Sequence, residues 1–203
     1  MRSFAAALAL FATGIEARYM FGSCADQIIE GQAEFDQSRY LGRWYEIARD
    51  SDFFDENMNC ACDDVVENFN NSVTIARNAF SLDLAWEQDT VRSILSSNGR
   101  GEYIVYDAED QPDREADTDL FVLSTDYDRW AIEYVCKDFV PGVFYYDSVS
   151  IKARTQQLEQ KTLDLILLVI SNTFDNYDYD QLHFIDQCRI CPFRDIAAIE
   201  ATQ

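Results

Sequence analysis

Short strand-like runs separated by polar breaks fill the chain between residues 42 and 154. The breaks carry Gly, Pro, Asn and Asp, as in NFNNS, SSNGRG and VPG, which is the composition of turns. A series of short strands and turns predicts a meander that closes as a barrel or packs as a sandwich. The eight runs are WYEIA (44–48), DVVENF (64–69), SVTIARNAF (72–80), TVRSIL (90–95), EYIVYD (102–107), LFVLST (120–125), WAIEYVC (130–136) and FYYDSVSIKA (144–153).

The apolar pattern changes its period after residue 160. Apolar residues then recur at the spacing of one helical face, which predicts a C-terminal α-helix. A short ninth strand is predicted in QLHFID (181–186). No repeat or low-complexity linker divides the chain, so one domain is expected over 18–203. The residues of the helical face are Leu163, Ile166, Leu167 and Ile170.

The N-terminus has the pattern of a secretory signal. Arg2 precedes the apolar run FAAALALFA (4–12), and small residues continue to Ala17. We expect residues 1–17 to be removed on secretion, so the protein is predicted to be extracellular; the alternative is a buried N-terminal helix. Neither this run nor LDLILLVI (163–170) is long enough to span a bilayer, so no membrane insertion is expected.

The formal net charge of −21 restricts the classes of partner. Phosphate backbones and anionic lipid surfaces would repel so acidic a chain, which argues against nucleic-acid binding and adsorption to membranes. The charge would attract cations. Asn70, in the sequon Asn70-Asn71-Ser72, is a predicted glycosylation site.

Six cysteines after a secretory signal predict disulfides, although spacing alone does not choose the pairing. Two of the spacings, Cys60-x-Cys62 and Cys188-x-x-Cys191, could suggest a metal site. The chain has a single histidine, His183, and an oxidising compartment favours bridges over thiolate ligands. We therefore predict no metal and no cofactor.

Three stretches in this order resemble the lipocalin family, in particular its apolipoprotein D-like and bacterial-lipocalin-like branch. YLGRWYEIA carries a Gly-x-Trp signature at Gly42 and Trp44, and IKARTQQL ends the eighth run at Arg154. The similarity covers roughly residues 24 to 191. The third stretch, STDYDRWAIEYVC, carries a turn signature at Thr125, Asp126 and Tyr127.

The resemblance implies an all-β fold: an eight-stranded up-and-down antiparallel barrel with one C-terminal α-helix and a short ninth strand. Gly42 would supply backbone freedom where the chain crosses the closed end. Trp44 would plug the barrel floor with Arg154 over its indole, a contact worth ~0.5–2 kcal/mol. These residues are structural and are not offered as a catalytic site.

The resemblance also implies two disulfides. One joins Cys24 to Cys136, and the other joins the start of the second strand to the C-terminal tail, as Cys60 to Cys191. The two additional cysteines suggest a third bridge beside the second, and which of the two neighbouring cysteines takes which tail partner stays open. The additional cysteines are Cys62 and Cys188.

An eight-stranded barrel is wide enough inside for one small ligand. The implied function is a secreted carrier of a small hydrophobic molecule, of the lipid, sterol, retinoid or pigment class. Strand alternation selects the residues expected to face that ligand, provided that no bulge shifts the parity. They are Phe121 and Leu123, which share parity with Thr125, and Phe144, Tyr146, Ser148 and Ser150, which share parity with Arg154.

Two other functions are compatible with the sequence. One is an enzyme of the superfamily that uses a cysteine; an unpaired Cys60 or Cys62 would favour it, but no other catalytic motif accompanies it and we predict a non-enzyme. The other is a scavenger of small cationic amines, or a module that binds another protein. The net negative charge would help to draw in an amine.

Overall fold

Ten strands and two α-helices form within the residues that the computed structural model describes, namely 19–50, 58–68, 72–81, 86–96, 98–107, 118–175, 177–187 and 191. The predicted signal at 1–17, the sequon residue Asn70 and Cys188 lie outside them. The strands are β1 (Tyr19–Phe21), β2 (Gly42–Asp50), β3 (Met58–Glu67), β4 (Ser72–Ser81), β5 (Trp86–Leu95), β6 (Glu102–Asp107), β7 (Thr118–Thr125), β8 (Trp130–Val140), β9 (Phe144–Ala153) and β10 (Leu182–Phe184). The helices are α1 (Gln37–Tyr40) and α2 (Gln160–Thr173).

Strands β2 to β9 form an antiparallel meander that closes on itself. Each strand pairs with the next, and β9 pairs back with β2 through Tyr45 and Ala153. The predicted eight-stranded up-and-down barrel is therefore confirmed. The predicted short strand near the C-terminus forms as β10, and the structure shows that it adds to β2. Strand β1 adds to β9 and was not predicted, because three residues are too few to show alternation.

Helix α2 packs on the outer face of the barrel by the predicted apolar face. Ile166 and Ile170 are fully buried there, and Leu163 and Leu167 pack beside them. Burying a side chain of this size contributes ~1.5–3 kcal/mol. The helix thereby covers one wall of the barrel, including Ile132, Val149 and Ile151.

A second core fills the closed end of the barrel from inside. It is rich in aromatic side chains because α1 brings Tyr40 beneath the strands, next to Trp44 on β2. The inner faces of the neighbouring strands supply aliphatic residues around them. Members of this core include Phe35, Tyr40, Trp44, Tyr103, Leu120 and Val122.

Two disulfides confirm the pairing implied by the resemblance. Cys24 bonds to Cys136 across 112 residues, and Cys60 bonds to Cys191 across 131 residues. Cross-linking such long loops stabilises a fold by ~4–5 kcal/mol each in the chain-entropy model. The expected third bridge is not seen among the described residues: the thiol of Cys62 is free and buried, and Cys188 lies outside them.

Within the described ranges, neither helix is both long and apolar enough to cross a bilayer.

Candidate functional site

The closed end of the barrel is blocked by an indole under a guanidinium. The Cζ atom of Arg154 lies 3.6 Å from the ring centroid of Trp44, whose side chain is fully buried. The indole Nε1 donates a hydrogen bond to the carbonyl of Tyr40 at 2.8 Å. We call the Trp44–Arg154 pair the stopper.

Three backbone carbonyls hold the guanidinium of the stopper in place. Arg154 donates to the carbonyl oxygens of Tyr127 at 3.0 Å, Arg43 at 2.9 Å and Arg39 at 2.9 Å. Gly42 has φ +94°, and a Cβ there would lie 3.5 Å from Nη1 of Arg154. The left-handed backbone therefore explains the glycine of the Gly-x-Trp signature.

The turn after β7 supplies one of those carbonyls. The Thr125 hydroxyl donates to the Trp130 carbonyl at 2.6 Å and accepts from the Tyr127 amide at 2.8 Å. Asp126 accepts from the amides of Arg129 and Trp130 at 2.8 and 3.1 Å. These bonds hold Tyr127 at φ 67°, where its carbonyl reaches Arg154. The signature turn and the stopper are thus one structural unit.

Above the stopper, the inner face carries ionisable side chains that are almost completely buried. The Lys152 ammonium lies 2.7 Å from Asp63, 3.1 Å from Glu46 and 3.7 Å from Glu133. These four residues, on β9, β3, β2 and β8, form what we call the lumen charge cluster. Burial of a charge is costly unless an opposite charge or a hydrogen bond compensates it, so the cluster depends on all its members.

Arginines and a tyrosine extend the lumen charge cluster. Arg49 lies 3.4 Å from Glu46, and Arg77 lies 3.4 Å from Asp63. The Tyr40 hydroxyl donates to Glu133. The Ser150 hydroxyl also donates to Glu133, at 3.5 Å. Glu133 therefore has two neutral donors and a more distant lysine, whereas each of the other two carboxylates pairs with two cations.

This difference separates the pKa values of the three carboxyl groups. Burial raises the pKa of Glu133, and the attraction of Lys152 does not offset it. Burial also acts to raise the pKa of Glu46 and Asp63, but Lys152 and the arginines lower both below their ordinary values. The ammonium itself stays protonated, because the three carboxylates raise the pKa of Lys152 despite its burial.

The predicted lumen residues of β9 lie on the same face as Lys152. Ser150 pairs with the inward-facing Glu133 on β8, and Ser148 and Tyr146 continue the row towards the open end, all three being half-buried. Phe144 ends the row near the rim, where its ring contacts Phe21 edge to face at 5.7 Å. The structure therefore brings these four residues together along one inner wall.

The predicted orientation of Phe121 and Leu123 is wrong. Phe121 lies on the outer face, 6.0 Å from the ring of Tyr134, and both it and Leu123 pack against the core beneath α2. A bulge between Val122 and Ser124 reverses the alternation counted back from Thr125. The inner residues of β7 are instead Leu120 and Val122.

Sequence reasoning missed the lumen charge cluster, although alternation contained the signal. Glu46 follows Trp44 by two residues, and Lys152 precedes Arg154 by two. Residues two apart on a strand share a face, so alternation predicts that Glu46 and Lys152 lie on the same face as the stopper. Charged residues of this kind are normally assigned to the solvent side, which is why they were passed over.

Cys62 is not placed for nucleophilic chemistry. Its side chain is buried, and burial raises the pKa of the thiol to about 12. Almost no thiolate forms at neutral pH, and the thiolate is the reactive species. The enzyme hypothesis based on an unpaired Cys62 loses its support.

Known proteins resemble the chain both in sequence and in fold. No protein-family model matches the chain. It is 28% identical over 178 residues to apolipoprotein D of Cavia porcellus, which covers 86% of this chain and 87% of the relative. It is also 28% identical over 193 residues to apolipoprotein D of Mus musculus, which covers 95% of this chain and 97% of that relative.

Solved structures agree with this at the level of the fold. Insecticyanin from the tobacco hornworm Manduca sexta superposes with a TM-score of 0.69 at 18% identity, covering 86% of this chain and 92% of the other. Lobster apocrustacyanin A1 superposes with a TM-score of 0.61 at 18% identity, covering 82% of this chain and 94% of the other. The closed barrel, its stopper and its outer helix are those of the lipocalin fold. In sequence the chain is similar to apolipoprotein D over most of its length.

Proposed function

We propose that the chain is a secreted carrier that binds one small hydrophobic molecule inside the barrel. The observation that carries this proposal is a closed ring of eight strands blocked at one end by the stopper. Such a barrel offers an enclosed, water-poor interior with access from the opposite end. The likeness to apolipoprotein D supports the same function.

The expected affinity follows from the area that a ligand would bury. Removing ~300 Å² of apolar ligand surface from water contributes ~7 kcal/mol before the costs of association are subtracted. Without those costs, ~7 kcal/mol would correspond to a Kd of about 10 μM, so this contribution favours weak, reversible binding. Binding of this kind requires no titrating group in contact with the ligand.

The proposed contacts are the half-buried residues on the inner face above the lumen charge cluster. Tyr146, Ser148 and Ser150 line one wall on β9. Val135 on β8 pairs with Ser148 and continues this wall, and Val105 on β6 lies on the inner face as well. A wall that mixes hydroxyl groups with aliphatic side chains suits a mainly apolar ligand with few polar atoms.

Secretion is part of the same proposal. The two disulfides fit an oxidising, extracellular compartment. Residues 1–17 would direct export, and Asn70 would carry a glycan. Mass measurement of the secreted protein tests both, since the chain should begin after Ala17 and a glycosidase-sensitive mass should disappear in Asn70→Gln.

Native mass spectrometry of the protein purified from its source tests the carrier function. A ligand of a few hundred daltons should copurify and be released by organic extraction. Ser148→Trp should fill the lumen and abolish binding while circular dichroism still reports a barrel. Ser171→Trp, on the exposed surface of α2, is the control and should bind normally. A barrel that is empty and does not respond to a panel of lipids, retinoids and sterols would refute the proposal.

A further inference from the structure

Two hydroxyl groups inside the barrel lack the partners that buried hydroxyls normally have. Tyr103 on β6 is 2% exposed and Ser93 on β5 is 0% exposed. Neither hydroxyl oxygen has a hydrogen-bond partner in the described part of the chain. Most buried polar side-chain atoms in proteins have a partner, so each of these requires an explanation.

Both side chains point into the lumen. Tyr103 belongs to the inner core with Trp44, and its ring packs edge to face on Phe35 with 6.0 Å between centroids. Ser93 pairs across strands with Val73, another member of that core. The two hydroxyl residues lie on neighbouring strands, in diagonal register, and therefore share one region of the inner wall.

The cross-strand neighbours of the two residues are aliphatic. Leu95 lies opposite Tyr103 and Val105 lies opposite Ser93, and both are only half-buried. They offer the hydroxyls no hydrogen bond. A ligand that enters from the upper lumen would reach the hydroxyls by displacing these two half-buried side chains, and rotamer changes are fast where a side chain is not tightly enclosed.

The neighbouring charges determine which ligands could supply the missing partner. Three carboxyl groups already surround Lys152 in the lumen charge cluster, and the arginines beside them are paired with Glu46 and Asp63. Three cations therefore match the three carboxyl groups, and a charged end group of a ligand, whether carboxylate or ammonium, would be buried there without a counterion of its own. An uncharged oxygen meets no such penalty.

We infer that the lumen selects ligands whose polar end is an uncharged hydroxyl or carbonyl oxygen, and that Tyr103, assisted by Ser93, binds this oxygen. The inference rests on the proposed carrier function and specifies the class of ligand. The aromatic floor would contact the chain or ring of the ligand near its polar end, and the half-buried inner wall would contact the rest. A fatty alcohol or a sterol meets this description, whereas a fatty acid does not.

Calorimetric titration with dodecanol, dodecanoate and dodecylamine tests the inference, because these probes differ only in their end group. We expect dodecanol to bind at least tenfold more tightly than dodecanoate or dodecylamine. Tyr103→Phe should reduce the affinity for dodecanol about tenfold and leave that for dodecanoate unchanged. Ser93→Ala should have a smaller effect in the same direction. The control is Tyr106→Phe, on the opposite face of β6, which should bind like the unmodified protein.

The stability of the ligand-free variant provides a second readout. Tyr103→Phe removes a buried hydroxyl that has no hydrogen-bond partner in the described structure, so its Tm should equal or exceed that of the unmodified protein. A fall in Tm would show that the hydroxyl has a structural role and would overturn the inference. Equal affinity for the three probes, preference for dodecanoate or dodecylamine, or no binding of any of them would also overturn it. The carrier proposal would survive each of these results if another ligand copurified with the protein.

Discussion

The ammonium of Lys152 lies 2.7 Å from a carboxylate oxygen of Asp63, with both side chains buried inside the barrel. A lysine enclosed in this way is stable only because acids from three other strands surround it. The same contacts link β2, β3, β8 and β9 at the closed end. Their energetic importance can be measured.

Lys152→Met should destabilise the protein by ~3–5 kcal/mol at neutral pH, because it leaves buried carboxylates without their cation. Urea denaturation measures this change. Lys161→Met is the matched control, since Lys161 is exposed on α2 and its loss should change the free energy of unfolding by less than ~0.5 kcal/mol. Equal effects of the two substitutions would contradict the role of the cluster.

The two glutamates beside Lys152 should respond to pH in opposite directions. Burial raises the pKa of Glu133 above its ordinary 4.5, so the stability tied to its protonated form is complete below pH 4.5. That stability is lost as the pH rises through the folded-state pKa. Burial acts to raise the pKa of Glu46 too, but Lys152 and Arg49 lower it below 4.5. Its contribution is complete above pH 4.5 and is lost as the pH falls through the folded-state pKa.

Relative to the unmodified protein, Glu133→Gln should therefore gain stability as the pH rises above 4.5. Glu46→Gln should lose relative stability as the pH rises towards 4.5 from more acidic values. Free energies of unfolding, measured at a series of pH values for all three proteins, check both slopes. If the free energies of unfolding of the two variants changed in parallel with pH, the pKa values of Glu133 and Glu46 would not be shifted in opposite directions.

Arg154→Met should destabilise the barrel by ~2–4 kcal/mol. It removes a cation–π contact worth ~0.5–2 kcal/mol and the donors to three backbone carbonyls. Arg154→Lys should recover only part of the loss, because an ammonium cannot reproduce the planar fork of donors. Chemical denaturation of the three proteins gives the comparison. If Arg154→Lys were as stable as the unmodified protein, a positive charge at this position would be enough to stabilise the stopper.

The thiol of Cys62 should resist alkylation in the folded protein. The thiol is buried, so the reagent cannot reach it, and its pKa is raised to about 12, so almost none of it is thiolate at neutral pH. Iodoacetamide treatment followed by peptide mass mapping should show Cys62 unmodified under native conditions and modified in denaturant. Cys24 and Cys136 are the internal control and should remain disulfide-linked in both samples. Rapid native labelling, or recovery of Cys62 in a disulfide with Cys188, would contradict the expectation.

Much of the fold could be predicted from local sequence patterns. The runs of alternating residues, the helical face at Ile166 and Ile170, and the Gly-x-Trp and Thr-Asp-Tyr signatures all predicted elements that form. The resemblance added the barrel closure and the pairs Cys24–Cys136 and Cys60–Cys191. These features depend on side-chain period or on short motifs, which a single chain displays directly.

The sequence predicted the arrangement of side chains inside the barrel much less well. The bulge beside Val122 turned Phe121 outwards, and a bulge depends on local pairing that alternation does not reveal. The free Cys62 also differs from expectation, although Cys60 two residues away is bonded to the tail. The reversal at Phe121 arises from the exact register of β7 against β8.

The sequence by itself determined the order of the eight barrel strands, the position of the helix and the residues of the stopper. Period and motif spacing are properties of neighbouring residues, so they can be read without knowing what lies across the barrel. The tertiary structure alone decided that Glu46, Asp63 and Glu133 share one lysine and that the hydroxyls of Tyr103 and Ser93 have no hydrogen-bond partner among the described residues. These relations join residues far apart in the chain, and they exist only once strand register has brought the residues to the same inner face.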